Sequence, residues 1–263
     1  MFSYSKEHKE YIDKIKRKKR VIVFFRCFIL ILFLIIWELL ARTEVINTFL
    51  SSSPSMVVET TIGLFASGNL WRHILITLVE VLVSFFIAFV IGIGVASVLW
   101  SSEMLSKILD PYLTVLNSLP KVALGPLIII WVGASVRSII VMSLMINVFV
   151  TIINIYVGFA MTNEEYIKLL KTMGASKMQI FTKVILPANR KNIINALKIN
   201  ISMSLIGVIM GELLVSKEGL GYLIMYGSQV FNINLVITSV VILGILSYLL
   251  YIIVDKIEKR YIK

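Results

Sequence analysis

Glu80, Lys121 and Glu212 are ionisable residues that lie within long apolar stretches of this 263-residue chain. A charged side chain is costly to place in hydrocarbon, so it usually faces a solute pathway or a partner inside the protein. Their number and placement favour solute contact or helix pairing over covalent catalysis. The candidate pathway residues are Pro120, Lys121, Asn147 and Glu212.

Each of these candidates has a structural alternative. Pro120 is expected to break its helix, so that Lys121 faces the pathway and attracts an anionic solute. Alternatively, the Lys121 side chain extends to the membrane edge, or it caps a helix near the cytoplasmic edge. Glu212 is expected either at the pathway or a subunit interface, or in a hydrogen bond to a neighbouring helix. Asn147 more often joins helices than lines a pathway. Glu80 is expected to pair inside the protein, with Lys121 or a backbone group.

Other kinds of chemistry have no residues to support them. His8 and His73 lack partners at ligand spacing, and Cys27 is the single cysteine, so we expect neither a metal site nor a disulfide within the chain. The sequence contains no G-x-x-x-x-G-K-[ST] phosphate loop. We therefore expect no cofactor and no ATP hydrolysis in this chain, which would not itself be an enzyme.

The elements that position these residues are apolar runs long enough to cross a bilayer. The sequence is 58% apolar and 16% charged, against roughly 45–50% and about 25% in soluble domains. A spanning helix needs roughly 20 apolar residues. The fold class is thus all-α integral membrane, with about six spans at 21–40, 74–100, 111–132, 138–160, 193–215 and 233–254. Between the first two, 51–68 is expected to contain a short helix capped by Ser53 or Ser55.

The basic residues set the expected orientation. The net charge is +11, but the lysines and arginines flank the apolar runs instead of forming a nucleic-acid surface, so no nucleic-acid partner is expected. Six spans place nineteen of the 26 basic residues on the side of both termini and four on the other side. This predicts cytoplasmic termini, a basic N-terminus at 1–20 and a membrane domain at 21–263 in the plasma membrane.

A polar segment, TMGASKMQIFTKVILPANR at 172–190, separates the fourth and fifth spans. It belongs to a cytoplasmic region at about 161–192 that predicts two short amphipathic helices joined at Gly174, the second ending at Pro187. Ile167, Leu170 and Met173 are expected on one face of the first helix. Such a unit can lie on the lipid surface or dock in a groove of another protein.

The spacing of this segment resembles a family signature. Gly174, nine residues, and then Val184-Ile185-Leu186-Pro187 are similar to the E-A-A-x-x-x-G-x9-I-x-L-P motif of membrane subunits of bacterial ATP-binding-cassette (ABC) importers. Lys168-Leu169-Leu170 stands where E-A-A is expected, and Val184 replaces isoleucine. The resemblance implies coupling helices that contact an ATPase subunit through Glu165, Leu169, Leu170, Gly174, Ala175, Ser176, Val184, Leu186 and Pro187.

Three further stretches resemble the sulfonate, nitrate and taurine branch of these permeases: PSMVVETTIGLFASGNLWRHILITLVEVLVSFF from Pro54, LPKVALGPLIIIWVG from Leu119 and GELLVSKEGLGYLI from Gly211. The resemblance implies a permease subunit with an ABC ATPase, an extracytoplasmic solute-binding protein and a second permease copy, most simply in a homodimer. The solute would be small, such as a sulfonate, nitrate, taurine or a thiamine precursor. The alternative is a stand-alone secondary carrier or a membrane signalling subunit.

Overall fold

The computed structural model describes residues 6–261, with side chains at 11–260. Residues 1–5 of the predicted N-terminal segment and 262–263 of the predicted membrane domain lie outside the described residues. The described chain forms thirteen α-helices with a short 3₁₀ turn and a π-helical turn between them. Their bounds are α1 Lys6–Arg42, α2 Thr48–Ser51, α3 Pro54–Ala66, α4 Asn69–Ser101, α5 Glu103–Ser118, α6 Gly125–Val132, α7 Val136–Ala160, α8 Glu164–Thr172, α9 Lys177–Ile180, α10 Leu186–Ala188, α11 Arg190–Val215, α12 Leu220–Gln229 and α13 Ile233–Tyr261.

Five helices among the described residues are long and apolar enough to cross a membrane, namely α1, α4, α7, α11 and α13. The sixth predicted span, at 111–132, is not one straight helix. Helix α5 ends at Ser118, the 3₁₀ turn Lys121–Leu124 leads into α6, and the two parts are bent by 82°. The count of six spans therefore holds when the bent pair is counted as one.

Helices α4, α7 and α11 form the centre of the bundle, and α12 and α13 pack against them. Small residues permit the closest of these approaches. Gly207 and Gly211 of α11 lie against the backbones of Ser143 and Ile139 in α7, where an added Cβ would come within 2.5 and 2.8 Å of the facing Cα atoms. The G-x-x-x-G spacing in α11 thus serves close helix packing, as it does in other membrane proteins.

Helix α1 lies apart from this centre. It begins at Lys6, so the basic residues and the first apolar run form a single helix, whose membrane-length apolar window is not buried by the rest of the chain. Glu38 connects it to α3 by accepting a 3.1 Å hydrogen bond from the backbone N–H of Ser55. Helix α3 begins at Pro54, and its N-cap is Ser53, as expected from the sequence.

Candidate functional site

The polar segment between α7 and α11 folds into the predicted pair of short helices. Asn163 caps α8 by accepting a hydrogen bond from the N–H of Glu165, and Ser176 caps α9 in a reciprocal capping box with Gln179. Gly174 between them has a φ of +77°, a left-handed conformation that glycine adopts without steric cost. The sharp turn therefore depends on this glycine.

The two helices have an inner and an outer apolar face. Ile167 and Leu170 of α8, with Ile180 of α9, pack on a cluster that contains Phe159 and the partly buried Trp100. The outer face is exposed and consists of Tyr166, Leu169, Met173 and Met178. Met173 therefore does not share the packed face with Ile167 and Leu170, because that face is selected by contacts with α4 and α7.

Pro187 does not end the second helix, and that prediction is wrong. After α9 the chain forms a π-helical turn at Phe181–Ile185, continues through α10, and deviates only at Asn189 before α11 begins. The π turn precedes the proline, where the missing N–H and the ring disturb the regular ladder. Asn189 closes the gap by donating from its amide to the Ile185 carbonyl and to the Thr162 hydroxyl.

Of the nine predicted coupling residues, four are exposed at the surface and five are partly buried beneath it. The exposed ones are Glu165, Leu169, Gly174 and Ser176. The partly buried ones are Leu170, Ala175, Val184, Leu186 and Pro187. We call the end of the bundle that carries this segment the α8 end, and the opposite end, where α4 and α7 begin and α11 finishes, the α12 end.

Pro120 lies at the helix break, as predicted. Lys121 follows it, and its Nζ donates hydrogen bonds to Asn117 Oδ1 at 3.0 Å and to the Ile146 carbonyl at 3.3 Å. The ammonium also lies 5.8 Å from the ring centre of Phe149. Lys121 thus links the break to α7, and its contact with a solute stays a prediction.

Glu212 lies in a buried polar network at the α12 end. Its carboxylate accepts hydrogen bonds of 2.6 Å from the Thr77 hydroxyl in α4 and 2.6 Å from the N–H of Gly221 in α12. The Thr77 hydroxyl accepts in turn from the N–H of Leu220 at 2.8 Å. This arrangement matches the structural alternative for Glu212, a hydrogen bond to a neighbouring helix.

Asn147 is also fully buried, between α7 and α11. Its amide donates to Asn200 Oδ1 and to the Ser204 hydroxyl, each at 2.7 Å, and Thr151 donates to its Oδ1 at 2.9 Å. These contacts correspond to the helix-joining alternative, and its place in a pathway stays a prediction.

Glu80 lies inside the protein as expected, but neither Lys121 nor a backbone group is its partner, and its polar neighbour is the Glu212 carboxyl. The residue is 3% exposed, and among the described residues neither of its carboxyl oxygens has a hydrogen-bond partner. Lys121 is engaged elsewhere, with Asn117 and α7. Glu80 lines a cavity of about 420 Å³ at the α12 end.

Sequence reasoning missed Thr77, Asn200 and Ser204 as members of these networks. A signal was present: Thr77, Glu80 and Ser84 recur on one side of α4, and Asn200 and Ser204 are one helical turn apart. Polar residues at helical spacing in an apolar run indicate a face turned towards other helices.

Comparison with known proteins identifies the family to which this arrangement of helices belongs. Residues 88–263 match the family described as the binding-protein-dependent transport system inner membrane component. The chain belongs to this family of ABC permeases. A probable ABC transporter permease protein from Haemophilus influenzae is 31% identical over 230 residues, covering 87% of this chain and 93% of that protein.

Two further comparisons agree with the family assignment. The formylaminopyrimidine transport permease protein ThiX of Halalkalibacterium halodurans is 29% identical, over 87% of this chain and 90% of that protein. A structure of the inward-facing MetNI methionine ABC transporter aligns with a TM-score of 0.65 at 26% identity, covering 73% of this chain and 95% of its own. Sulfonate, taurine and nitrate permeases are also among the relatives, which confirms the resemblance to that branch.

Membership in the ABC permease family decides between the two functions that the sequence left open. The relatives are subunits of importers and not stand-alone carriers, and in such systems the ATPase is a separate subunit. The permease is a multi-pass membrane protein, consistent with its apolar helices.

Proposed function

We propose that this permease forms the solute pathway of an ATP-driven importer and that its segment at 161–192 contacts the ATPase. The observation that carries the proposal is the outer face of α8 and α9. Tyr166, Leu169, Met173 and Met178 are exposed beside the turn at Gly174, while the inner face is held firmly by the bundle. An exposed apolar patch on a rigid support suits docking into a groove of a partner protein.

The complete importer would contain two copies of the permease, two ATPases and an extracytoplasmic binding protein. The bent pair supports a second copy as the neighbour, because Tyr112, Val115, Ile130 and Trp131 leave an apolar surface on both sides of the break. Two copies facing each other would enclose a pathway that a single thin bundle cannot. The homodimer is the simplest such assembly.

The proposed orientation places the α8 end in the cytoplasm together with both termini. The excess of lysine and arginine on that side supports it. In this arrangement the cavity beside Glu80 opens towards the outside, where a binding protein would release its solute. The chain holds no cofactor and does no covalent chemistry in the proposed cycle, since ATP would be hydrolysed by its partner.

The proposed solute is small, in the range that the relatives' names cover. Those names include aliphatic sulfonates, taurine, nitrate and formylaminopyrimidine. They divide into purely anionic solutes and solutes that carry an amino group.

The test of ATPase docking is the change of Gly174 to aspartate, matched with Gly68→Asp. Both glycines have positive φ, and a Cβ at either would meet nothing within 4 Å. The backbone strain is therefore similar, but Gly68 lies at the α12 end. We expect Gly174→Asp to insert in the membrane yet lose the co-purifying ATPase and transport, while Gly68→Asp keeps both. Retention of the ATPase by Gly174→Asp would instead favour a helix pair lying on lipid.

A further inference from the structure

Helix α1 carries a run of consecutive basic residues directly before its apolar part. These residues are Lys16, Arg17, Lys18, Lys19 and Arg20, here called the basic segment 16–20. They belong to the same continuous helix as the apolar run, and all five side chains are exposed. Because five residues exceed one helical turn of about 3.6 residues, the positive charge surrounds the helix axis instead of occupying one face.

The position of this segment along α1 places it at the level of lipid headgroups. A hydrocarbon core of about 30 Å is spanned by about 20 helical residues, which the apolar run 21–40 supplies. The headgroup layer on each side is about 5–8 Å thick, and five helical residues rise about 7.5 Å. Arg26 lies inside the apolar run, but side chains tilt towards the helix N-terminus, so its long side chain can reach the same layer.

Lipid has access to this helix, and the protein does not neutralise its charge. The membrane-length apolar window of α1 is not buried by the rest of the described chain. Among the described side chains, none of the five basic residues forms an ion pair. Asp13, one helical turn before Lys16, is exposed and forms no ion pair with them either.

The C-terminal end of α13 lies on the same side of the bundle and is different. There Asp255 and Glu258 bind Lys198, and Asp255 also binds Lys259. Acidic residues thus alternate with basic ones and offset much of their charge. The basic segment 16–20 contains no acidic residue, so its excess charge requires an anionic group from outside the chain.

We propose that the basic segment 16–20 binds the headgroups of anionic phospholipids in the bilayer around α1. Clusters of about four to eight lysines and arginines next to a spanning helix attract anionic lipid. Phosphate oxygens accept hydrogen bonds from both side chains, and arginine can donate two to one phosphate. The bound lipids hold the N-terminal half of α1, whereas Glu38 connects the opposite half to α3.

An acidic surface of the ATPase is the competing partner, and two features favour lipid over it. The segment follows the apolar run without any spacer, so it lies in the headgroup layer and not beyond it. Its charge surrounds the helix, whereas a docked protein usually contacts one face. The segment also lacks apolar anchor residues, in contrast to the outer face of α8 and α9.

Native mass spectrometry of the detergent-solubilised permease, together with its ATPase when that subunit co-purifies, tests the proposal. The added probes are phosphatidylglycerol and phosphatidylcholine with the same acyl chains. We expect the wild type to bind phosphatidylglycerol at least about fivefold more tightly, and high salt to reduce the difference because exposed charges are screened. Equal affinity for the two lipids would overturn the proposal.

Two variants of α1 locate the binding. The combined changes Lys16→Gln, Lys18→Gln and Lys19→Gln remove three exposed charges and are expected to reduce the preference for phosphatidylglycerol to less than twofold. Arginine at the same three positions keeps the charge and should keep the preference. An unchanged preference in the glutamine variant, or its loss in the arginine variant, would reject the assignment.

The matched control combines Lys256→Gln, Lys259→Gln and Arg260→Gln at the end of α13, where all three side chains are exposed. Both glutamine variants lose the same charge on the same side, so a fault of membrane insertion would affect them alike. We expect the α13 variant to retain the preference for phosphatidylglycerol. An equal loss in the two variants would show that the net charge matters and that the basic segment is no specific site.

ATPase co-purification and the unfolding temperature are measured on the same samples. The substituted side chains are exposed, so we expect both to stay close to the wild-type values while the lipid preference is lost in the α1 glutamine variant. The opposite result, loss of the ATPase with an unchanged lipid preference, would identify a protein partner for the basic segment and overturn the lipid proposal.

Discussion

The hydroxyl of Thr77 donates a 2.6 Å hydrogen bond to Oε1 of Glu212, across 135 positions of sequence. The same hydroxyl accepts from the N–H of Leu220 at 2.8 Å, and Oε2 of Glu212 accepts from the N–H of Gly221 at 2.6 Å. One side chain of α4 and one of α11 thus satisfy the first N–H groups of α12. These N–H groups have no partner within their own helix, so the network fixes where α12 begins.

We expect Thr77→Val to destabilise the permease. The change keeps the shape of the side chain but leaves the Leu220 N–H unpaired and removes one bond from Glu212, at a cost on the order of 2 kcal/mol. Thr238→Val is the matched control, because the Thr238 hydroxyl is buried without a partner in the described structure and its loss should be neutral or stabilising. Unfolding in detergent measures both. Equal effects would show that the Thr77 bonds contribute little.

Gly207→Ala should also lower stability, because the new Cβ would lie 2.5 Å from the Cα of Ser143 and force α7 and α11 apart. Overpacking of this kind costs roughly 1–3 kcal/mol. Gly244→Ala in α13 meets nothing within 4 Å and is the control. We expect no loss there, since alanine favours helix by about 1 kcal/mol over glycine. Similar unfolding curves for the two variants would contradict the close packing.

Lys198 joins α11 to α13 through Asp255, at 3.0 Å, and Glu258. Lys198→Met leaves Glu258 without its cation and Asp255 with Lys259 alone, and we expect a lower unfolding temperature. Lys107→Met is the comparison, because Lys107 forms a solvent-exposed pair with Glu103, and such pairs contribute little to stability. If both variants unfold alike, the α11–α13 ion pairs do not hold the helices together.

The orientation predicts that Lys177 is cytoplasmic and Lys217 external. Both side chains are exposed, at opposite ends of the bundle. Single cysteines at these positions in a Cys27→Ser background can be labelled on intact cells with an impermeant thiol reagent. We expect labelling at 217 and, until the cells are opened, none at 177. The reverse pattern would invert the whole topology.

The short-range features of this permease were predictable from its sequence. The apolar runs predicted the spanning helices, Ser53 and Ser176 predicted two helix starts, and Gly174 predicted the turn between α8 and α9. The helix starts and the turn are controlled by residues within about one helical turn, and each spanning helix by the length of one continuous apolar run. Local sequence therefore suffices for them.

The partners of the buried polar residues were decided only by the tertiary structure. Glu80, Glu212 and Asn147 were recognisable as unusual, but the groups that face them lie up to 135 residues away. The same holds for the face of α8 that packs and for the 82° angle between α5 and α6. The sequence alone shows that a carboxylate lies within an apolar helix. Whether a hydroxyl or a cavity faces it depends on how α4, α7 and α11 pack, since hydrogen bonds require contact within about 3 Å.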